Sequence, residues 1–556
     1  MPGATILEKG TNNGVATSGD GSYSITVQSG ATLIFSFVGY APQEIAVGAQ
    51  TVIDVTLIDD AALKEVVVVG YGTQKKSDVT GVVTKIDTDK FNKGPIVSPD
   101  QLLNGKVAGV QIQSNSGEPG GQTKVRIRGG TSVNASNEPL YVIDGVPVDN
   151  AAVNPGGFQD GRNPLNFLNP NDIESFTVLK DASATAIYGS RGNNGVIIIT
   201  TKRGAAGQGK LSYNNWFSFS TIARKVDVFN ADEFRAIVQD KAPTRVSELG
   251  TANTNWQDEL YQVGSGQSHN LGFSGGSKNL SYRASVGYLK QNGIIKGSSS
   301  ERISLSLNLN QRALNDALKI TTSIKASQTN DVFVPFGVIS SSLKFDPTQP
   351  IKDASDTQYG GFFEYANDLA NKNPVAELTL TDDQGKNIRS VGNIQFDYQL
   401  PFVKGLSANL NLGYDIFTGG RSRFLPSNLR SQFNDNGEVR RANFTRTSGL
   451  LEFYLKYTKK LTSINSKIDV TGGYSYQDFR AEFPEFRAFN LSNNLLGPNS
   501  AAPATMTEAF ITVEPNRLVS FYGRLNFSFA DKILLTATYR RDGSSRFNPE
   551  NQWGNF

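Results

Sequence analysis

The chain has 556 residues, with 54 Lys and Arg against 51 Asp and Glu, a single His and no Cys. The length holds two or three domains, and the near-neutral charge lacks the basic excess of a nucleic-acid binder. Without Cys there are no disulfides, thiolate metal sites or Cys nucleophiles, and the lone His269 offers a triad or a His-rich zinc site one residue only, so composition points away from an enzyme and from cofactor or metal use.

Residues 1–60 read as a small β-domain. Asp20-Gly21 is a hairpin signal between Gly14–Thr17 and Tyr23–Val27. Further strands are expected at Thr32–Phe37, Glu44–Val47 and Val52–Leu57. The domain starts abruptly, as though a first strand were missing, and Met1-Pro2-Gly3 is no secretory signal.

A linker at 61–74 carries Glu65-Val66-Val67-Val68-Val69-Gly70-Tyr71-Gly72. Four valines in a row suit a buried central strand. They equally suit an accessible segment that adds to a partner's sheet edge through backbone hydrogen bonds.

Residues 75–205 read as a mixed α/β unit. Pro99–Val107 has helical spacing, and strands are expected at Val110–Gln113, Thr123–Arg128, Leu140–Ile143, Val146–Val148, Ile173–Leu179 and Val196–Thr201. Asp144-Gly145 is a second hairpin turn. A short helix is expected from Asp181 to Tyr188, ended by Gly189. Arg126 and Arg128 share one face of their strand; if the domain were enclosed by a polar wall, both would be placed to pair with wall carboxylates.

Residues 206–556 alternate regularly. Eleven strands are expected: Leu211–Phe219, Asn270–Ser274, Tyr282–Lys290, Ile303–Asn310, Leu318–Ala326, Asn393–Leu400, Leu406–Tyr414, Leu450–Tyr457, Ile468–Tyr476, Val519–Phe529 and Ile533–Arg540. In the fourth, Ile303, Leu305, Leu307 and Leu309 oppose Ser304, Ser306, Asn308 and Asn310. Links are short after strands 2, 4, 6 and 10 and long after 1, 3, 5, 7 and 9. Short turns at one end and long loops at the other mark a membrane β-barrel, whereas Greek-key sandwiches obey no such rule. No run of about 18 apolar residues exists, so no transmembrane helix is expected. Eleven strands fall short of a closed even-stranded barrel, so both ends of the sequence read as clipped.

Other motifs carry little. Gly204 to Lys210 imitates a phosphate-binding loop but continues into Leu211 and a strand, so it reads as a flexible link. Glu377, Asp382 and Asp383 are expected in a solvated loop, and His269 beside a turn. Phe333, Phe336, Tyr359, Phe362, Phe363 and Tyr365 fall in long loops, where they either pack the loop or stack on sugar rings.

Several of these stretches resemble one family. Glu65-Val-Val-Val-Val-Gly-Tyr-Gly-Thr-Gln74 is similar to a TonB box. Leu102-Leu-Asn-Gly-Lys-Val-Ala-Gly-Val-Gln-Ile112, Val125-Arg-Ile-Arg-Gly129 and Tyr141-Val-Ile-Asp-Gly-Val-Pro-Val148 resemble the start of a plug domain. Leu179-Lys-Asp-Ala-Ser-Ala-Thr-Ala-Ile-Tyr-Gly-Ser-Arg-Gly192 with Gly195-Val-Ile-Ile-Ile-Thr-Thr-Lys-Arg-Gly204, and Arg540-Arg-Asp-Gly-Ser-Ser-Arg-Phe547, extend the match. The chain resembles the SusC/RagA-type TonB-dependent outer-membrane transporters of Bacteroidetes, as a fragment truncated at both ends.

The resemblance implies a mainly β protein: a carboxypeptidase-regulatory-like β-sandwich domain at 1–60, the TonB box in 61–74, a plug at 75–205, and about half of a large antiparallel transmembrane barrel at 206–556. It implies TonB-dependent import of a glycan or peptide oligomer across the outer membrane. The implied partners are the TonB-ExbB-ExbD complex, a SusD-like lipoprotein and outer-membrane lipid, with the N-terminal domain and box periplasmic. Glu65, Val66, Val67, Val68, Val69, Gly70 and Tyr71 would bind TonB. Two other readings remain open: a transporter that also signals across the envelope, and a secreted β-rich glycan-binding module.

Overall fold

The computed structural model describes residues 3–11, 13–37, 40, 42–57, 66–68, 72–75, 81–130, 136–150, 158, 161–355, 357–367, 369–500, 506–530 and 532–556. It separates into two units, Met1–Val79 and Thr80–Phe556.

In the first unit, β1 (Thr5–Glu8), β2 (Gly14–Ala16), β3 (Thr32–Ser36) and β4 (Gln43–Ala46) form an antiparallel sheet in the order β2-β1-β3-β4. Ile6, Leu33 and Phe35 are its buried centre, so the expected sheet gains a central strand, Thr5–Glu8, that was too short to read. The expected strands Tyr23–Val27 and Val52–Leu57 join no ladder. Their alternate residues Tyr23, Ile25, Val27, Ile53, Val55 and Leu57 pack on the same cluster, and the Tyr23 hydroxyl donates to the Ile53 carbonyl at 2.8 Å. Alternation there encodes core contact, not pairing. Farther on, β5 (Val66–Val68) and β6 (Thr73–Lys75) form a two-stranded antiparallel ribbon with Val67 opposite Gln74.

The second unit opens with an inner domain of β7 (Val83–Asp87), β8 (Val110–Ser114), β9 (Thr123–Ile127), β10 (Leu140–Ile143), β11 (Val146–Val148), β12 (Ile173–Leu179) and β13 (Val196–Thr201). Five of them make a sheet in the order β11-β10-β13-β12-β7, with β10 and β13 parallel, while β8 and β9 pair separately. The run Val196–Ile199 is apolar because β13 is central and covered on both faces. Edge strand β7 buries only Ile86, so its pattern was too weak to read. Leu102, Val107, Val125, Ile127, Phe176 and Val178 complete the core.

The remainder is one antiparallel sheet of twelve strands in sequence order: β14 (Gly207–Ser220), β15 (Gly264–Gly276), β16 (Leu280–Asn292), β17 (Ser299–Ala313), β18 (Leu318–Val332), β19 (Asp382–Gln399), β20 (Leu406–Leu425), β21 (Glu438–Leu461), β22 (Ser466–Phe489), β23 (Met506–Phe529), β24 (Ile533–Ser544) and β25 (Trp553–Asn555). Each expected strand overlaps one of β14–β24, and β25 is additional. The strands run farther than expected, up to 24 residues in β21 to β23. At about 3.4 Å per residue that is roughly 80 Å, far more than the 9–11 residues a bilayer needs. The extension is polar, which is why it read as loop. The links 293–298, 426–437 and 490–505 are correspondingly shorter than expected, and Gly207–Lys210 belongs to β14.

Burial along the sheet is inverted. In β17 the side chains of Arg302, Ser304, Ser306 and Asn308 are buried, while Ile303 and Leu305 are 47% and 53% exposed. A two-layer sandwich with a dry centre would bury the other parity. Among the described residues no helix is long and apolar enough to cross a membrane, so a membrane crossing would fall to this wall of strands.

Candidate functional site

The buried polar parity of the wall faces the inner domain, and their contacts converge on three grips. The first is the Asp144-Gly145 turn between β10 and β11. Asp144 has φ 47°, the left-handed region that Asp and Asn tolerate. Its carboxylate accepts the Thr201 N–H at 3.0 Å, the Thr201 hydroxyl at 2.6 Å and the Ser323 hydroxyl at 3.1 Å, and it pairs with the Lys325 ammonium of β18. The carbonyls of Asp144 and Gly145 accept the Asn393 and Asn411 amides, each at 3.2 Å. Burial opposes ionisation of Asp144, but the charges of Lys325 and Arg203 outweigh it and hold the carboxyl below its usual range.

The second grip is Arg389 of β19, which is almost wholly buried. Its guanidinium donates to both oxygens of Asp415 at 3.0 and 2.7 Å, to the Pro164 carbonyl at 2.8 Å and to the Asp149 carbonyl at 2.7 Å. It lies between the rings of Phe167 and Phe417, 4.5 and 4.8 Å from their centroids. The fork thus holds two inner-domain carbonyls while a wall carboxylate neutralises it.

The third is Arg540 of β24. It donates to the Ile187 carbonyl at 2.6 Å, to Asp542 at 2.6 Å and to the Ser520 hydroxyl at 2.7 Å. Asp542 in turn accepts the Ser190 N–H at 3.3 Å. This closeness requires Gly189, where φ is 59° and an added Cβ would lie 1.9 Å from Asp542 Oδ2. The expected helix before it is split into a short α-turn, Ala182–Thr185, and a 3-10 turn, Ala186–Gly192.

Between the grips, Asp172 accepts from Ser285, Asn169 donates to Asn270, Asn308 donates to the Lys202 carbonyl, and Arg191 donates to Gln477. The interface is therefore made chiefly of directed polar contacts, whose partners water can replace one by one. A packed apolar interface would have no such route.

The residues singled out from sequence fall into separate places. Val66, Val67 and Val68 form β5, while Glu65, Val69, Gly70 and Tyr71 lie outside the described residues. Arg128 pairs with Asp181 of its own domain, because its φ of 58° ends the strand alternation that put it on a shared face with Arg126. Arg126 is half-buried and its Nη1 lies near Gly130 and Asn137 of the same domain. Phe333 is buried between the guanidinium groups of Arg162 and Arg421, at 3.9 and 3.6 Å. Tyr359 packs on Phe433, and Phe362 lies under Lys352. Phe363 and Tyr365 join Phe345 and Trp256 in an aromatic cluster. Phe336 differs, at 74% exposed.

Three minor expectations change. Glu377 lies in a helix, Pro374–Leu380, and Asp382 and Asp383 begin β19, where Asp383 takes a bidentate fork from Arg421. His269 lies within β15, its Nδ1 2.7 Å from the Tyr213 hydroxyl and its ring beside Phe217 and Tyr288. Among the described residues no three Asp, Glu or His side chains gather as a metal site. Sequence reading took Asp144 for a turn residue alone and missed the pairing roles of Lys325, Arg389, Asp415, Arg540 and Asp542; for these five the available signal was a charge on the polar parity of a wall strand.

Comparison with known proteins agrees with this architecture. The family described as TonB-dependent Receptor Plug Domain matches residues 75–196, and the CarboxypepD_reg-like domain matches residues 1–69. The whole chain is 39% identical to 56% of the TonB-dependent receptor SusC of Bacteroides thetaiotaomicron, and 37% identical to 54% of the TonB-dependent receptor P3 of Formosa agariphila. It thus spans about half the length of these curated relatives. Among solved structures, 88% of the chain superposes on 58% of a chain of the RagAB peptide importer in its open-open state, with TM-score 0.73 and 24% identity. A second structure, of the RagAB peptide transporter, gives TM-score 0.71 over 86% of this chain and 57% of that one at 22% identity. At that identity the likeness is one of fold.

Proposed function

The chain belongs to the SusC type of TonB-dependent receptors, and from that premise we propose that its protein imports a glycan or peptide oligomer across the outer membrane, driven by contact with TonB. The observation that carries the reading is the inverted wall: apolar outside, polar inside, and joined to the inner domain by hydrogen bonds and ion pairs. A dry-centred secreted module has no use for that inversion. The outer membrane offers no nucleotide supply, so work on the plug has to arrive mechanically.

Glu65 to Tyr71 serve as the TonB contact in this account. Val66–Val68 pair only with a three-residue neighbour in the described structure, and two-stranded ribbons are marginal in water. Exchange of that partner for a TonB edge strand costs little, and backbone pairing supplies the hold. Traction through residues 72–80 then reaches the plug, whose polar grips release singly. A SusD-like lipoprotein closes over the long-loop end, and the N-terminal domain is periplasmic.

The test is uptake by the full-length protein carrying Val67→Pro and Val68→Pro. Proline removes the N–H donors that strand addition needs. Energised uptake should vanish while substrate binding persists; unchanged uptake would remove the assignment of the TonB contact.

A further inference from the structure

The outward face of the wall holds a cavity that the import reading does not use. Its volume is about 810 Å³, and it is lined by residues of β16 to β21. The strand register makes its centre a single lateral row: Lys290 opposite Glu301, Glu301 opposite Asn330, Asn330 opposite Lys386, Lys386 opposite Gly420, and Gly420 opposite Asn443. All six share parity with the exposed aliphatics of their own strands, such as Val286, Leu305, Ile324, Ile388, Ile416 and Leu451. They therefore point away from the inner domain, at the end of the strands that carries the long loops.

Three chemistries meet in this groove. Cations outnumber anions: Lys290 stands 3.9 Å from Glu301, whereas exposed Lys386 has no ion pair among the described residues. Arg441, in the next row, donates among the described residues to the Pro498 carbonyl at 2.8 Å and to Asn499 at 3.0 Å, neither of which neutralises it. Amides and hydroxyls from Asn330, Gln384, Ser422 and Asn443 line the same space. Depth comes from Gly420, where a Cβ would fall 2.0 Å from the Asn443 Oδ1 that lies across it. Immediately toward the short-turn end, the same parity becomes Ile303, Leu305, Ile388 and Ile416, all exposed.

We propose that this groove binds an anionic lipid of the outer leaflet, a phosphate carried on an acylated sugar. The cations receive the phosphate, the amides and hydroxyls meet the sugar, and the aliphatic rows below lie along the acyl chains. Cations bordering an apolar band are where a membrane protein meets charged headgroups. Phosphate is favoured over a protein partner because the charge sits at the rim of the apolar stripe and not within a broad apolar patch. The inference rests on the reading that this face meets lipid, but not on transport or on TonB.

The experiment uses the full-length protein in a neutral detergent, with a diphosphorylated, hexa-acylated glucosamine disaccharide as the probe and binding read by native mass spectrometry. The parent should retain the probe, and the double variant Lys386→Gln, Arg441→Gln should bind it roughly thirtyfold less tightly for the loss of two interfacial cations. The dephosphorylated probe should bind parent and variant alike, at the weaker level. Equal affinity of parent and variant for the intact probe would overturn the proposal. So would equal binding of the dephosphorylated probe by the parent, which would make the groove an acyl slot. Displacement by millimolar inorganic phosphate alone would make it a free-phosphate site, and a dimer that the variant breaks but the probe does not disturb would assign it to a second copy. Detergent dependence measured on the same samples reports separately on the membrane reading.

Discussion

Asp144→Asn isolates what one grip contributes. Asparagine tolerates the positive φ at this position, so the turn itself is kept. Its amide oxygen can still accept from Thr201 or Ser323, but it no longer neutralises Lys325, whose side chain is only 5% exposed. Leaving one member of a buried pair without its partner costs about 3–5 kcal/mol. At about 1.4 kcal/mol per factor of ten, that raises the population of the state with the turn detached from the wall by on the order of a hundredfold or more. The sequence has no cysteine, which makes a single reporter thiol clean. Val146→Cys provides it: Val146 is 2% exposed, and its Cγ2 lies 3.2 Å from where a Cβ on Gly413 of the wall would be. In full-length protein in detergent, under conditions where opening precedes reaction, thiol labelling at 146 should accelerate about a hundredfold with Asp144→Asn. Adding Lys325→Met should return most of that, because replacing both members of a buried pair is far cheaper than removing one. A change below threefold in the single variant, or no recovery in the double, would refute the claim that this pair fastens the plug.

Three further outcomes follow from the geometry. Burial first, then the neighbouring Glu377 charge, pushes the Glu364 carboxyl up to about 7 despite the hydrogen bonds it accepts from the Asn373 N–H. A carboxyl raised on folding stabilises most below its unfolded value near 4.5 and loses that contribution as pH rises through 7, here up to about 3 kcal/mol. Proteolysis of the 351–373 loop should therefore quicken between pH 5 and 8, and Glu364→Gln should flatten the dependence; an unchanged slope would exclude Glu364 as its source. Phe333→Ala should cost about 3–5 kcal/mol of thermal stability by emptying the space between Arg162 and Arg421, whereas Phe336→Ala should cost almost nothing. Gly189→Ala should destabilise by more than about 2 kcal/mol, because its Cβ meets Asp542 as well as the backbone penalty. Gly297→Ala, at φ 84° with nothing within 4 Å, should show the backbone penalty alone, about 1 kcal/mol; equal losses at the two sites would deny the Asp542 clash.

The order and facing of the wall strands were legible because parity is local: Ile303, Leu305, Leu307 and Leu309 mark one face without knowledge of any neighbour. Strand length was not legible. From Asn387 to Gln384, and from Thr418 to Arg423, the outer parity turns polar, and a strand polar on both sides reads as loop. Pairings were illegible for a related reason. Arg128 leaves its expected face through one backbone angle, and Asp144 looks like any turn residue until Lys325 arrives from 181 positions away. The loop aromatics divide by burial, which composition does not encode: Phe333 is a pillar, while Phe336 is open. In the N-terminal unit, the alternation of Tyr23–Val27 correctly reports which side chains face the core but not whether the backbone pairs.

On the proposed membrane reading, one parity of the wall meets lipid and the other meets the inner domain. Spin labels placed singly at positions 303 to 306 of full-length protein in bilayers test it through collision with oxygen, which concentrates in lipid, and with an aqueous nickel complex. Labels at Ile303 and Leu305 should collide with oxygen and not with nickel, while those at Ser304 and Ser306 should be shielded from both. Nickel access at 303 and 305 with oxygen access no higher than at 304 and 306 would contradict it.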